Sequence, residues 1–260
     1  WYMCDEPRGA VWRASLERVY DVVAQADPYH PCVALDNHPS TLVGLDRVGD
    51  ILWIDPYPGF ARGGGPKQPL SEVGRVVAEV VANLLPGRPL WVAPQAFSYA
   101  EWDRELEAKE RQPSFVEARC MNYLALLNGA RGIIPFAWAY AQRHPSLRVG
   151  YLENLGPEMA ILLPALAGGE WVAGCRAVPR SPAAEVQVGA WKHEDSFYIV
   201  AVNPEPEEAR ARLVIPGLGG RWVKALAEER RIKALNGTLD EWFGPYEVHV
   251  YCDRKKLPSL

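Results

Sequence analysis

Four short polar clusters recur along the 260 residues: Asp5-Glu6-Pro7, Asp36-Asn37-His38, Asp55-Pro56-Tyr57 and Gln95-Ala96-Phe97. A fifth group, Trp138 with Tyr140, follows further on. A carboxylic acid can protonate a leaving oxygen, and a second carboxylate across from it can act as base or nucleophile. Glu6 reads as the general acid/base, provided an aromatic, partly dry recess raises its pKa. Asp5 and Asp55 read as the supporting or basic carboxylates. Asp36, Asn37, Tyr57, Gln95, Phe97, Trp138 and Tyr140 are the candidate substrate contacts, through amide and carboxylate hydrogen bonds or flat apolar rings. Plainer roles compete at each position. Glu6 can pair with Arg8, Asp36 and Asp55 can close turns, strand-end rings can fill a core, and His38 can be a solvated loop residue.

Each cluster follows a short apolar run, at residues 1–4, 32–35, 51–54, 90–93 and 132–138. Helically spaced apolar residues fill the intervals at 15–24, 41–48, 70–85 and 114–127. Ser114 with Glu117 three residues later makes a capping box at the start of the last of these. Such alternation predicts parallel βαβ units. An open doubly wound sheet does not need polar residues at every strand end, whereas a barrel gathers those ends into one mouth. Residues 161–174 read as the exit from the barrel. After them, runs at 186–190, 197–203, 210–215, 221–225 and 246–251 alternate without helices and predict an antiparallel β-sandwich. The expected fold is therefore α/β: a partial (β/α)8 TIM barrel over residues 1–174, then a small antiparallel β-sandwich over 175–260. The Pro/Gly-rich stretch 58–66 lacks the Gly-Lys-Ser/Thr ending of a phosphate cradle and reads as a flexible rim of the mouth. Trp191, Trp222 and Trp242 read as core of the β domain.

The bulk composition narrows the partners. With 28 Lys plus Arg against 32 Asp plus Glu, a net charge of -4 and no basic run, nucleic acid is not an expected partner. No stretch approaches the roughly 20 apolar residues of a membrane span. Five cysteines, odd in number, scattered and without a CxxC, read as reduced thiols and lean toward a cytoplasmic compartment. The chain opens without an initiator Met, so targeting is not readable. Ten Trp and 11 Tyr against 6 Phe hint at stacking on sugar rings. Neither a cofactor nor a metal is expected.

The segment Trp1-Tyr2-Met3-Cys4-Asp5-Glu6-Pro7 resembles the fourth-strand segment of clan-A-like, beta-galactosidase-like barrel glycoside hydrolases, where the acid/base Glu follows Asp or Asn. Residues 113–138, from Pro113-Ser114-Phe115 to Phe136-Ala137-Trp138, resemble their last helix and eighth strand, and residues 245–251 resemble the closing strand of their C-terminal β domain. The resemblance implies that the visible strands are the fourth to eighth. About three upstream units, on the order of 90 residues at roughly 30 per unit, are then missing. It also implies a carbohydrate substrate, with Trp138 as a platform under the sugar. Either the N-terminal barrel half or a second copy of the chain would cover the exposed strand edges. One departure stands out: the seventh strand carries Gln95 where a nucleophilic Glu is usual, and an amide cannot attack as an anion. Three alternatives follow. Asp55 or Asp36 serves as base or nucleophile; the Asp5-Glu6 pair assists an acetamido group of the substrate; or the protein binds glycans without cleaving them. A magnesium-dependent barrel enzyme holding its metal on Glu6, Asp36 and Asp55 is a further reading.

Overall fold

A computed structural model describes residues 1–8, 10–181, 185–228 and 230–254. Five parallel strands, β1 (Tyr2–Asp5), β2 (Val33–Leu35), β3 (Ile51–Ile54), β4 (Leu90–Val92) and β5 (Gly132–Ile133), form one sheet in sequential order. Helices α1 (Ala10–Ala26), α2 (Pro39–Val43), α3 (Ser71–Asn83) and α4 (Phe115–Leu127) connect them. Right-handed crossovers between neighbours in unbroken order put every helix on the same face, whereas a doubly wound sheet reverses its order and covers both. On the helix side, Ala34, Leu52, Ile54, Leu90 and Val92 pack against Leu42, Val77 and Val80. On the other side, Tyr2, Trp53 and Trp91 stand in an edge-to-face row, with ring centroids 6.1 and 6.4 Å apart. The sheet is an arc of a barrel.

The helices form where the spacing places them. In α3, Val73, Val76, Val77 and Val80 make one apolar stripe. In α4, Ser114 and Glu117 complete the capping box, with Ser114 N–H donating to Glu117 at 2.7 Å and Glu117 N–H to Ser114 Oγ at 3.3 Å. α4 is buried nearly all round because the sheet lies on one side of it and the β domain on the other.

After β5 come two short helices, α5 (Trp138–Ala141) and α6 (Pro145–Val149), a π-helical turn over Gly150–Leu155, and α7 (Gly156–Gly168). Then nine antiparallel strands follow: β6 (Glu170–Trp171), β7 (Arg176–Pro179), β8 (Gln187–His193), β9 (Ser196–Val202), β10 (Ala209–Val214), β11 (Trp222–Ala225), β12 (Arg231–Lys233), β13 (Thr238–Phe243) and β14 (Val248–Cys252). They form a three-stranded sheet, β13-β10-β7, facing a six-stranded one, β12-β11-β14-β9-β8-β6. Phe197, Ile199, Leu213, Leu239, Phe243 and Tyr251 fill the space between them. The other face of the larger sheet packs on α4 and α7 through Tyr198, Val200, Val250, Tyr123 and Leu162. Arg119 of α4 pins that junction: it donates to both oxygens of Glu158, at 3.0 and 2.7 Å, and to the Val248 carbonyl at 2.6 Å.

Several expectations need correction. The fifth run is a strand only over Gly132–Ile133, because Pro135 has no N–H to donate, and Trp138 opens a helix instead of ending a strand. Residues 161–168 are helical, not an irregular exit: Glu158, Ile161, Leu162 and Ala165 form a buried stripe, and Pro164 sits on the exposed side, where the carbonyl it leaves unpaired is open to water. β6 pairs with β8 and so joins the antiparallel sheet ahead of residue 174. The 58–66 stretch is anchored: Phe60 is fully buried, Phe60 and Ala61 bridge to Pro66 and Glu110, and Arg111 donates to the Gly64 carbonyl. Of the three β-domain tryptophans expected in the core, only Trp191 is buried, while Trp222 and Trp242 are exposed.

Candidate active site at the strand ends

The carboxylates expected at the mouth come from the ends of β1, β2 and β3. Glu6 follows β1 with φ 45°, while its N–H still bonds the Leu35 carbonyl at 3.1 Å. A left-handed glutamate is uncommon and turns the chain sharply off the strand. Its two oxygens accept from Arg8 Nη2 at 2.7 Å and Asn37 Nδ2 at 2.6 Å, so β1 and β2 are joined through this one side chain. Asp5 is exposed and accepts from the Tyr2 hydroxyl.

Asp36 is fully buried. Its Oδ1 accepts from the His38 N–H at 2.8 Å and closes the turn into α2, while its Oδ2 has no partner. Its place is a turn under the site, with His38 exposed above. Asp55, 7% exposed, also has one oxygen without a partner, and the Tyr57 hydroxyl donates to its carboxyl. Burial, then the neighbouring charge of Glu6 and more weakly that of Asp5, push the Asp55 carboxyl from 3.8 up to about 7, against the hydrogen bond from Tyr57. Burial also raises the Tyr57 hydroxyl, helped by the Asp55 charge, so Tyr57 stays a donor. Asn37, Asp55, Tyr57 and Tyr99 share the wall of a cavity of about 360 Å³.

Gln95 lies elsewhere in role. It is fully buried; its Oε1 accepts from the Gly59 N–H at 2.9 Å, and its Nε2 donates to the Phe97 carbonyl at 3.1 Å. Gly59 holds φ 71°, a conformation suited to glycine, so Gln95 fastens the 58–66 loop through a turn that a side chain would strain. Both ends of its amide are used by the backbone. Phe97 is likewise fully buried and forms the hub of an aromatic cluster, with ring centroids 5.0 Å from Tyr57, 5.2 Å from Tyr99, 4.3 Å from Trp102 and 5.9 Å from Phe136. Phe97 therefore backs the rings that face the mouth. Tyr140 joins at the edge, where its hydroxyl accepts from Trp102 Nε1 at 2.7 Å.

Trp138 is 45% exposed and makes no ring contact with this cluster among the described residues. Phe136, two residues earlier and 39% exposed, does: it stacks on Tyr57 at 6.3 Å and 25°. Sequence reasoning missed Arg8 as a partner of Asn37 around Glu6, and missed Tyr99, Trp102 and Phe136. The spacing Phe97-x-Tyr99-x-x-Trp102 was the available signal, because a strand end followed by one 3₁₀ turn, Tyr99–Glu101, folds those rings together. Among the described residues no group of three or more His, Cys, Asp or Glu side chains is arranged to hold a metal, so Glu6, Asp36 and Asp55 do not form the set that the magnesium reading required. No described helix is long and apolar enough to cross a membrane.

No family model and no curated protein matches the chain. Solved structures do. An Anoxybacillus α-amylase superposes with TM-score 0.59 at 11% identity, covering 95% of this chain and 57% of its own. The fold is that of a partial (β/α)8 barrel followed by an antiparallel β domain, the fold these glycosidases share. An α-amylase from Geobacillus thermoleovorans in complex with acarbose gives 0.58 at 11%, over 94% of this chain and 57% of its own. A β-L-arabinopyranosidase from Geobacillus stearothermophilus in complex with arabinose gives 0.58 at 12%, over 95% and 55%. The chain thus spans little more than half the length of each. Sequential strands with their ends on one side are the feature common to a barrel arc, and here Asn37, Asp55, Tyr57 and Tyr99 beyond those ends wall one cavity.

Proposed function

We propose that the protein hydrolyses O-glycosidic bonds in a carbohydrate, with Asp55 as the proton donor and Glu6 as the charged carboxylate across the mouth. The observation that carries this is the Asp55 carboxyl, buried with one oxygen unpaired on the wall of the recess it shares with Tyr57 and Tyr99, and pushed up to about 7 by burial and the Glu6 charge. A buried carboxyl with a raised pKa facing a second carboxyl is an arrangement that glycoside cleavage uses. Asp55 delivers its proton to the bridging oxygen as the carbon–oxygen bond breaks, and the bonding pair leaves with the released alcohol. Glu6, steadied by Arg8 and Asn37, offers its negative charge to the anomeric carbon, and water then bonds to that carbon and gives its proton back to the Asp55 carboxylate. This exchanges the roles expected from the sequence. The exchange is favoured by the two donors on Glu6 against the orphaned oxygen of Asp55.

Asn37, Tyr57, Tyr99 and Phe136 are the proposed sugar contacts, and Asp5 supports the site through its charge. Trp138 is assigned to the outer rim, and Gln95 to the architecture beneath. Completion of the mouth falls to N-terminal barrel units, or to a second copy of the chain, seated against the free edges of β1 and β5 and the Tyr2, Trp53 and Trp91 face. The test uses the full-length protein and aryl glycosides of graded leaving-group acidity. Glu6→Gln should lose at least about 10³-fold in turnover on every substrate, whereas Asp55→Asn should recover markedly on dinitrophenyl leaving groups, which need little protonation. Full activity of Glu6→Gln would sink the proposal, and equal loss for Asp55→Asn on all leaving groups would return the acid role to another residue.

A further inference from the structure

The outer face of the three-stranded sheet carries a second surface with its own chemistry. Alternation sends Ala177, Ala209, Ala211, Leu213, Leu239 and Phe243 into the sandwich core, so their neighbours in sequence point outward. In one cross-strand row Arg210 stands opposite Trp242, and the Arg180 N–H bonds the Arg210 carbonyl at 2.7 Å. The next row holds Val178, Arg212 and Asp240, and the third Arg176, Val214 and Thr238. Adjacent strands are about 4.8 Å apart, so Arg180, Arg210 and Trp242 span about 10 Å along one line.

Four arginines therefore face one acid. Asp240 is taken up by Arg212, which donates to both of its oxygens at 2.8 Å, with Arg180 at 3.9 Å. Arg210 and Arg176 have no ion pair among the described residues. Trp242 is 47% exposed. A large indole left in solvent beside an unneutralised guanidinium, on a chain of net charge -4, is a local concentration of stacking surface and positive charge. The face lies on the far side of the sandwich from α4 and α7, away from the mouth.

We propose that this face binds an acidic polysaccharide, with a pyranose ring stacked on Trp242 and a sugar carboxylate held by Arg210 and Arg180. A flat indole suits the C–H face of a sugar, and a planar guanidinium matches a carboxylate bidentately. The surface is flat and carries one aromatic ring with few free cations, which suits a chain bearing one charge per sugar. A nucleic-acid strand calls for several stacking rings along a cationic track, and this face offers one ring. The choice of a polysaccharide leans on the sugar-processing reading; the face itself is independent of it.

The test is calorimetric titration of the full-length protein with polygalacturonate at low salt, alongside neutral galactan and oligo(dT). Binding of polygalacturonate, weakened at least tenfold by Trp242→Ala and by Arg210→Gln and by added 0.5 M salt, is the expected result. Both residues are exposed, so thermal melting should be unchanged and loss of binding is not loss of fold. No binding of polygalacturonate, equal binding by the variants, or tighter binding of galactan or oligo(dT) overturns the proposal. Hydrolysis assays on the same preparations separate the outcomes, since the mouth can fail with this surface intact and the reverse.

Discussion

Asp55→Asn should make the folded protein more stable at neutral and alkaline pH while removing the proposed proton donor. Titration moved from 3.8 to about 7 means that native Asp55 keeps its proton where the unfolded chain has released it. At about 1.4 kcal/mol for each pH unit, the displacement corresponds to up to about 4 kcal/mol. Because the folded pKa lies above the unfolded one, this stability is fully present below 3.8. It is lost progressively as pH rises toward 7, and above that the native state holds a buried carboxylate beside Glu6. An asparagine is nearly the same size, can still accept from Tyr57 and never ionises. Urea unfolding midpoints of the parent and Asp55→Asn should therefore coincide near pH 4 and diverge through pH 7, the variant gaining most of the difference by pH 8. Taking the difference between the two proteins cancels every titrating group that does not interact with Asp55. Parallel pH profiles, or a variant less stable at pH 8, would refute the placing of Asp55 as a desolvated acid beside a charged neighbour.

Two further outcomes follow from buried pairs. Glu158→Gln leaves the Arg119 guanidinium uncompensated at the junction of α4, α7 and β14 and should cost about 3–5 kcal/mol by denaturant unfolding, whereas Arg119→Met with Glu158→Leu should cost less than the two single changes together; a loss under about 1 kcal/mol for Glu158→Gln would contradict the clamp. His249 is buried, which alone lowers its pKa, but its bond to Glu228 at 2.6 Å and the Glu228 charge outweigh that and raise it above 6.5. Stability from this pair is present below 6.5 and lost as pH rises through the raised value, so Glu228→Gln should lower the His249 titration followed by NMR, and an unmoved titration would remove Glu228 as the cause.

The parallel half of the fold was legible because its cues are local. An apolar run stopped by a polar cluster marks a strand end, and Ser114 with Glu117 marks a helix start whatever surrounds them. The antiparallel half was less legible. β7 and β12 are short, carry Arg176, Arg231 and Lys233 and bury no side chain fully, and β13 interrupts its buried Leu239 and Phe243 with Asp240 and Glu241. Helix α7 was hidden by Pro164, whose exposed placement could not be read before its neighbours were known. At the mouth, the sequence pointed to Glu6, Asp55 and Tyr57 but ranked Trp138 over Phe136, because the short helix that begins at Trp138 takes that ring off the strand's alternation.

By itself the sequence determined which residue types end each parallel strand, since backbone alternation and turn chemistry act over a few positions. Only the tertiary structure decided that the Asp55 carboxyl is held above its ordinary range. Burial of Asp55 and the nearness of Glu6 arise from β1 and β3 flanking β2 in one sheet, and an electrostatic interaction depends on distance in space, not along the chain. The same holds for Gln95: its amide looked free for a ligand until the fold brought Gly59 to it.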